Sequence, residues 1–251
     1  MNESSIGGAA SLVLLHGWGM NARVFDPLLA ALPGVDARAA PLPGHGGALC
    51  AGPTLDAWAD ALALTLPGRT HVLGWSLGGQ VAIRIATRHP RRIAGLILLA
   101  STPRFLRDAD WSAGIAAADL ELFGADLLRE PAATLLRFLT LQTRGAADQR
   151  ALLAQLRTRL AEAAEPDPRA LADGLALLRS NDLRADWRAL DLPTLVIHGG
   201  RDFLTPVAAG EWLHRQGRRA RALFLPTAAH APHLSHPGEV AAAIRSFLDV
   251  G

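Results

Sequence analysis

The chain has 251 residues, half of them hydrophobic, which suffices for one domain with an insertion or for two domains. All 25 basic residues are arginine and the formal net charge is only +2, which argues against general binding to nucleic acid. No apolar run reaches the ~18 residues that span a bilayer, and the N-terminus lacks a signal-peptide pattern. We therefore expect a cytoplasmic protein without membrane association. Cys50 is the only cysteine, which excludes an internal disulfide.

Short apolar runs alternate with helical patterns at both ends of the chain. Strands are predicted at 11–15, 36–40, 71–75, 93–100, 193–197 and 222–225, and helices at 21–32, 54–66, 77–89, 206–215 and 237–248. This alternation predicts an α/β fold with a mostly parallel sheet flanked by helices. Residues 104–190 show only helical stripes. We expect an α/β core formed by residues 1–103 and 191–251, and an all-helical lid formed by 104–190.

Ser76 lies at the centre of the sequence Gly74-Trp75-Ser76-Leu77-Gly78, between a predicted strand and a predicted helix. A Gly-X-Ser-X-Gly turn of this kind holds the serine hydroxyl exposed above the end of a sheet, and the flanking glycines make room for the sharp bend. The motif therefore indicates a nucleophile. The alternative is a glycine-containing turn in which Ser76 caps the helix.

A serine nucleophile needs a base and an acid that orients the base. Asp202 follows the predicted strand 193–197, and His230 follows the predicted strand 222–225, so both loops leave the carboxyl ends of strands. The chain order Ser, Asp, His is the one found in α/β-hydrolases. Alternative candidates remain for both partners, namely Asp186 or Asp191 for the acid, and His233 or His236 for the base.

Attack on a carbonyl also requires hydrogen-bond donors for the oxyanion. The backbone N–H of Leu77, immediately after the nucleophile, is one candidate. The N–H of Trp18, in the His16-Gly17-Trp18-Gly19 loop after the first strand, is the other. We expect His16 and His45 to shape their loops rather than to take part in the chemistry.

These motifs together resemble the α/β-hydrolase superfamily. Within it, the chain resembles the pimeloyl-[acyl-carrier protein] methyl ester carboxylesterases of biotin synthesis, on the strength of residues 16–21, 74–79, 137–142, 228–232 and 235–237. The resemblance implies a lid inserted after the equivalent of the sixth strand, a triad of Ser76, Asp202 and His230, and no metal or cofactor. It also implies that the substrate contacts Trp18, Leu77, Phe138, Leu139, Thr140, Leu141 and Gln142.

The predicted lid is rich in arginine. Residues 137–159 contain five arginines and one acid, a local balance of +4. An acyl carrier protein is strongly acidic, and we expect Arg137, Arg150 and Arg157 to be the residues that dock it. The alternative is a solvated helix face without a partner.

The leading hypothesis is therefore hydrolysis of the methyl ester of pimeloyl-acyl-carrier protein by a monomeric enzyme. The alternatives are a broad short-chain carboxylesterase or thioesterase, and a non-catalytic ligand-binding relative. The family begins with a hairpin before the first parallel strand, for which the first ten residues leave little room, so we expect a truncated sheet edge.

Overall fold

The computed structural model describes residues 11–249, which form a six-stranded sheet of order β2-β1-β3-β4-β5-β6. All neighbouring strands are parallel, as the alternation of strands and helices predicts. The carboxyl ends of the strands therefore lie at one edge of the sheet, where parallel sheets form their ligand sites. The strands are β1 (Leu12–Leu15), β2 (Ala37–Ala40), β3 (Thr70–Trp75), β4 (Ile93–Leu99), β5 (Thr194–Gly199) and β6 (Ala220–Leu225).

Helices cover both faces of the sheet. Successive side chains of each strand point to opposite faces, so each face carries its own apolar surface. Val13 and Leu15 of β1 belong to one hydrophobic cluster, whereas Leu12 and Leu14 belong to another. The helices are α1 (Asp26–Ala30), α2 (Leu55–Thr65), α3 (Leu77–Arg88), α4 (Ala117–Arg129), α5 (Pro131–Thr143), α6 (Gln149–Ala161), α7 (Pro168–Ser180), α8 (Arg184–Ala189), α9 (Val207–Gln216), α10 (Pro232–Ser235) and α11 (Pro237–Leu248).

Most predicted elements occur within a few residues of their expected bounds. Thr54 caps α2 as its position suggests, because its hydroxyl accepts a hydrogen bond from the backbone N–H of Ala57 at 3.1 Å. The single helix predicted for 21–32 is wrong. A 3₁₀ turn at Ala22–Phe25 precedes the short helix α1, and Asn21 caps that turn.

Five helices, α4 to α8, connect β4 with β5, and the structure contains no strand between these two. Not all of this segment lies over the carboxyl edge. Helix α8 packs on the core, where Asp186 forms an ion pair with Arg84 of α3 at 3.0 Å and the Trp187 indole donates to the Leu213 carbonyl of α9 at 2.9 Å. The contacts of α8 thus differ from those expected for a lid reaching residue 190.

The insertion follows the fourth strand of residues 11–249. The resemblance places the insertion after the equivalent of the sixth strand, which the strand count of residues 11–249 does not match. The predicted truncation of the sheet edge concerns residues 1–10, which lie outside the described residues. Within the described part of the chain, no helix is long and apolar enough to cross a membrane.

Candidate active site

Ser76 lies between β3 and α3 with φ 55° and ψ −120°, a left-handed conformation that a non-glycine residue rarely adopts. Hydrogen bonds fix it on both sides. Its N–H donates to the Leu99 carbonyl at 3.0 Å, and its carbonyl accepts from the Ser101 hydroxyl at 2.8 Å. The Ser76 side chain makes no capping hydrogen bond with α3. The geometry therefore agrees with the strained turn of a nucleophile and does not support the helix-cap alternative.

The glycines around Ser76 are needed because backbone segments cross closely. A Cβ atom at Gly74 would overlap the backbone of Gly78, and one at Gly78 would lie 2.6 Å from the His16 carbonyl oxygen. A Cβ atom at Gly17 would lie 3.2 Å from the Ser76 Cβ. The loop after β1 therefore lies directly against the serine, as a loop that supplies an oxyanion donor must.

His230 and Asp202 form a buried pair. The Nδ1 atom of His230 lies 2.7 Å from Asp202 Oδ2, and neither side chain is more than 1% exposed. Burial raises the pKa of the Asp202 carboxyl, but the interaction with His230 and the hydrogen bonds donated by His230 and by the Thr205 backbone outweigh burial and leave the pKa below its usual range. Asp202 is therefore an anion that accepts the Nδ1 proton of His230.

Two further contacts hold His230 at the edge of the sheet. The Trp75 indole donates to the His230 carbonyl at 2.7 Å, and the His230 backbone N–H donates to the Gln142 carbonyl of α5 at 3.2 Å. Trp75 is the neighbour of Ser76 in the chain, so the indole contact links His230 to the serine turn. The buried Nε2 atom of His230 has no hydrogen-bond partner among residues 11–249. This nitrogen is thus available to act as a base.

The alternative histidines make different contacts. His233 is buried against Trp75 and Phe25, with ring centroids 4.7 and 5.2 Å away, and it forms no hydrogen bond with other described residues. His236 bonds with the Thr227 and Ser235 hydroxyls at 3.0 and 2.8 Å. Neither contacts a carboxylate, so both are poor candidates for the base.

The alternative acids, like the alternative histidines, do not contact His230. Asp186 pairs with Arg84 on the core helices, and Asp191 is exposed in the connection to β5. Asp202 alone among the three candidates bonds with His230.

The two expected oxyanion donors are backbone N–H groups without an acceptor among the described residues. Leu77 is the first residue of α3, where a backbone N–H has no acceptor within its helix. The Trp18 N–H, in the loop against Ser76, donates to no atom of the described chain. The loop is anchored by His16, whose Nε2 accepts from the Leu42 N–H at 3.0 Å and whose Nδ1 donates to the Gly17 carbonyl at 2.9 Å. These bonds agree with the structural role expected of His16.

His45 is likewise buried in a loop. Its Nδ1 donates to the Pro43 carbonyl at 2.9 Å, and its ring lies 5.2 Å from that of His16. This placement also agrees with a structural role.

The predicted substrate segment of α5 divides between two environments. The Phe138 ring packs edge-on against Trp18 at 4.9 Å, and Gln142 is buried with its side-chain oxygen unpartnered among the described residues. Leu139 packs into the core beside α6, whereas Thr140 and Leu141 are exposed. Of the five residues, Phe138 contacts Trp18 and Gln142 bonds through its carbonyl with the His230 backbone, so these two touch predicted site residues.

Comparisons with known proteins identify the family of the chain. The sequence pattern described as "Alpha/beta hydrolase family" matches residues 12–243. The chain belongs to the alpha/beta hydrolase family. Two relatives named pimeloyl-[acyl-carrier protein] methyl ester esterase are each 44% identical to it. The one from Nitrosomonas europaea matches over 92% of both chains, and the one from Aromatoleum aromaticum over 94% of this chain and 97% of its own.

Solved structures share the fold of this alpha/beta hydrolase. An esterase from Exiguobacterium antarcticum superposes with a TM-score of 0.85 at 20% identity, covering 97% of this chain and 93% of its own. A hydrolase from Pseudomonas aeruginosa gives a TM-score of 0.74 at 29% identity, covering 96% and 90%. These likenesses support the arrangement of the sheet and its helices.

Three residues at the site of this alpha/beta hydrolase carry contacts that the sequence patterns did not indicate. Trp75 bonds with the His230 carbonyl, Ser101 with the Ser76 carbonyl, and the Thr205 hydroxyl with Asp202 at 2.8 Å. Only Trp75 lies within a recognised motif. Ser101 and Thr205 could have been suspected because each follows the carboxyl end of a strand.

Replacement of His230 tests the choice of base. We expect His230→Ala to reduce hydrolysis of p-nitrophenyl acetate by at least about 10³-fold, because a serine without its base loses nearly all activity. His236→Ala and His233→Leu should stay within a few-fold of wild type, since neither ring contacts a carboxylate. Steady-state kinetics with circular dichroism as a folding control makes the comparison. An inactive His233→Leu beside an active His230→Ala would transfer the role of base to His233.

The buried histidines predict acid sensitivity. Burial, with His45 near His16 and His230 near His233, lowers the pKa of His16 and of His233 to about 3. An unfolded histidine binds its proton near pH 6.5, so the unfolded state binds more protons below that pH and the folded state loses stability as pH falls from about 6.5 towards 3. Each such histidine contributes roughly 1 kcal/mol per pH unit.

His233→Leu should therefore lower the slope of the unfolding free energy against pH by about one proton between pH 6 and pH 5. Urea unfolding at several pH values measures that slope. His214→Leu, the same substitution at an exposed position of α9, is the matched control. An unchanged slope in His233→Leu would contradict the prediction.

Proposed function

We propose that the protein is a serine carboxylesterase that hydrolyses the methyl ester of pimeloyl-acyl-carrier protein, releasing methanol and pimeloyl-acyl-carrier protein in biotin synthesis. The observation that carries this proposal is the buried His230–Asp202 pair beside the strained turn at Ser76, in a chain 44% identical to esterases of that name. Such a substrate assigns the reaction to the cytoplasm, and we infer a monomer.

In the proposed reaction, the Ser76 hydroxyl attacks the ester carbonyl while His230 Nε2 takes its proton. Asp202 stabilises the imidazolium that forms. The N–H groups of Leu77 and Trp18 donate to the oxyanion, a contribution of about 3 kcal/mol for a typical donor. His230 returns the proton to methanol as it leaves, and water then releases the acid from the acyl-enzyme with His230 again as base.

The helical insertion is proposed to act as a lid over this site. Three of its helices contact the Trp18 side chain: Phe123 of α4 and Phe138 of α5 pack against the ring, and the Leu171 carbonyl of α7 accepts from the indole at 2.9 Å. An acyl chain would enter between these aromatic rings and Leu77. Because Thr140 and Leu141 are exposed, they would contact only the part of the substrate that extends beyond the pocket.

The arginines of the insertion differ in how much charge they offer to a partner. Arg137 already pairs with Asp126 at 3.1 Å, and Arg159 pairs with Glu162 at 2.9 Å. Arg150 and Arg157 are exposed on α6 and form no ion pair with another described residue. Seven residues apart, they share one face of the helix. We therefore assign docking of the acidic carrier mainly to Arg150 and Arg157, with Arg137 as a weaker contributor.

The direct test measures release of methanol from purified pimeloyl-acyl-carrier protein methyl ester. We expect turnover by the wild type, and no turnover by a folded Ser76→Ala variant, because the serine oxygen is the nucleophile. Dimethyl pimelate serves as the carrier-free substrate and should have a lower kcat/KM. Turnover of short free esters without turnover of the carrier-bound ester would instead identify a broad short-chain carboxylesterase.

Charge reversal tests the docking surface. The double variant Arg150→Glu/Arg157→Glu should raise KM for the carrier-bound ester about tenfold at 0.1 M salt, where charges act over about 10 Å. Its kinetics on dimethyl pimelate should match those of wild type, because both substrates share the same pocket. Arg91→Glu, an exposed change at the opposite edge of the sheet, is the control and should affect neither substrate. Equal losses on both substrates would indicate damage to the lid instead.

A further inference from the structure

The Thr205 hydroxyl contacts both members of the His230–Asp202 pair. Its oxygen is 2.8 Å from Asp202 Oδ2, 3.1 Å from the Ala100 carbonyl oxygen and 3.3 Å from His230 Nδ1. Thr205 is 1% exposed, so water cannot replace these contacts freely. It also lies on the loop between β5 and α9 that carries Asp202 itself.

The neighbouring histidines determine where the Thr205 proton points. His230 Nδ1 carries a proton that it donates to Asp202, and His198 Nε2 donates to the Thr205 carbonyl at 2.6 Å. Neither nitrogen can accept a hydrogen bond while it holds its proton. Among residues 11–249, the acceptors that remain within reach are therefore Asp202 Oδ2 and the more distant Ala100 carbonyl. The shorter contact assigns the Thr205 proton mainly to the carboxylate.

This bond completes the hydrogen bonding of the carboxylate. Asp202 Oδ1 accepts from the backbone N–H groups of Leu204 and Thr205, each at 2.9 Å. Asp202 Oδ2 accepts from His230 and from the Thr205 hydroxyl. A carboxylate offers about four acceptor positions, so the buried Asp202 has none left unfilled. Rotation of its carboxylate would break at least two bonds.

The same hydroxyl joins the acid to the strand that supports the nucleophile. Ala100, whose carbonyl lies within reach of Thr205, has φ 43°, and the next residue, Ser101, bonds with the Ser76 carbonyl. The end of β4 therefore contacts the nucleophile on one side and the loop of Asp202 on the other. A change at Thr205 would loosen the acid without touching the space in which substrate binds.

We propose that Thr205 is a positioning residue, whose hydroxyl fixes the Asp202 carboxylate in the orientation that directs the Nε2 atom of His230 at Ser76. The inference rests on the proposed triad, and it acts through Asp202 rather than on the substrate. Loss of the hydroxyl should therefore lower kcat and leave KM unchanged, because only the chemical steps depend on the direction of the imidazole.

The test compares Thr205→Val, which keeps the shape, with Thr205→Ser, which keeps the hydroxyl. On p-nitrophenyl acetate we expect Thr205→Val to lose about tenfold or more in kcat at constant KM, and Thr205→Ser to recover most of it. The downfield proton resonance of the His230–Asp202 bond should broaden in Thr205→Val through faster exchange with water. Thr227→Val, an exposed change in the neighbouring loop, is the matched control and should keep wild-type kcat.

A kcat of Thr205→Val equal to that of the wild type would overturn the proposal. So would a kcat of Thr205→Ser no higher than that of Thr205→Val. Should Thr205→Val not fold, Thr205→Ser and Thr205→Ala supply the same comparison, because they differ only in the oxygen atom. Asp202→Ala separates the two levels of inference. An active Asp202→Ala would overturn the triad, whereas an inactive Asp202→Ala with an unaffected Thr205→Val would overturn only the role of Thr205.

Discussion

The left-handed backbone at Ser76 is the constraint on which the site depends. A non-glycine residue at φ 55° costs on the order of 1–3 kcal/mol and persists only where its surroundings fix it. Here the end of β4 fixes it, because the Leu99 carbonyl accepts from the Ser76 N–H and the Ser101 hydroxyl donates to the Ser76 carbonyl. Both bonds depend on the register of β3 with β4, in which Trp75 lies opposite Leu99. The pairing of β3 with β4 therefore fixes the conformation of Ser76, the proposed nucleophile.

The sequence predicted the parts of the site that follow from local pattern and parallel topology. The glycines around Ser76 identified the turn, and a loop after a strand was sufficient to place Asp202 and His230 at one edge. The His230–Asp202 bond agrees with that prediction. The bonds of Trp75 with His230 and of Thr205 with Ala100 could not be predicted, because each joins residues distant in the chain and depends on where the elements meet after folding.

The insertion shows the same limit of prediction. Helical periodicity over residues 104–190 correctly excluded a long strand but could not tell which helices pack over the site. Helix α8 packs on α3 and α9, because Asp186 pairs with Arg84 and Trp187 is buried against α9. By contrast, α4, α5 and α7 surround Trp18. Through the Gln142 carbonyl, α5 also holds the backbone of His230, so the position of the proposed base depends on the helix that bounds the proposed pocket.

The negative charge of Asp202 can act on His230 because the second histidine beside the carboxylate, His198, is neutral. His198 Nε2 lies only 3.7 Å from Asp202 Oδ2, where a unit positive charge would interact by about 4 kcal/mol at an effective dielectric constant of 20. Full burial lowers the pKa of His198, and the attraction of Asp202 raises it by less, so the ring stays neutral. A protonated His198 would compensate the carboxylate and weaken its stabilisation of the imidazolium on His230. Burial of His198 therefore leaves the charge of Asp202 uncompensated, so that the carboxylate can stabilise the imidazolium of the proposed base.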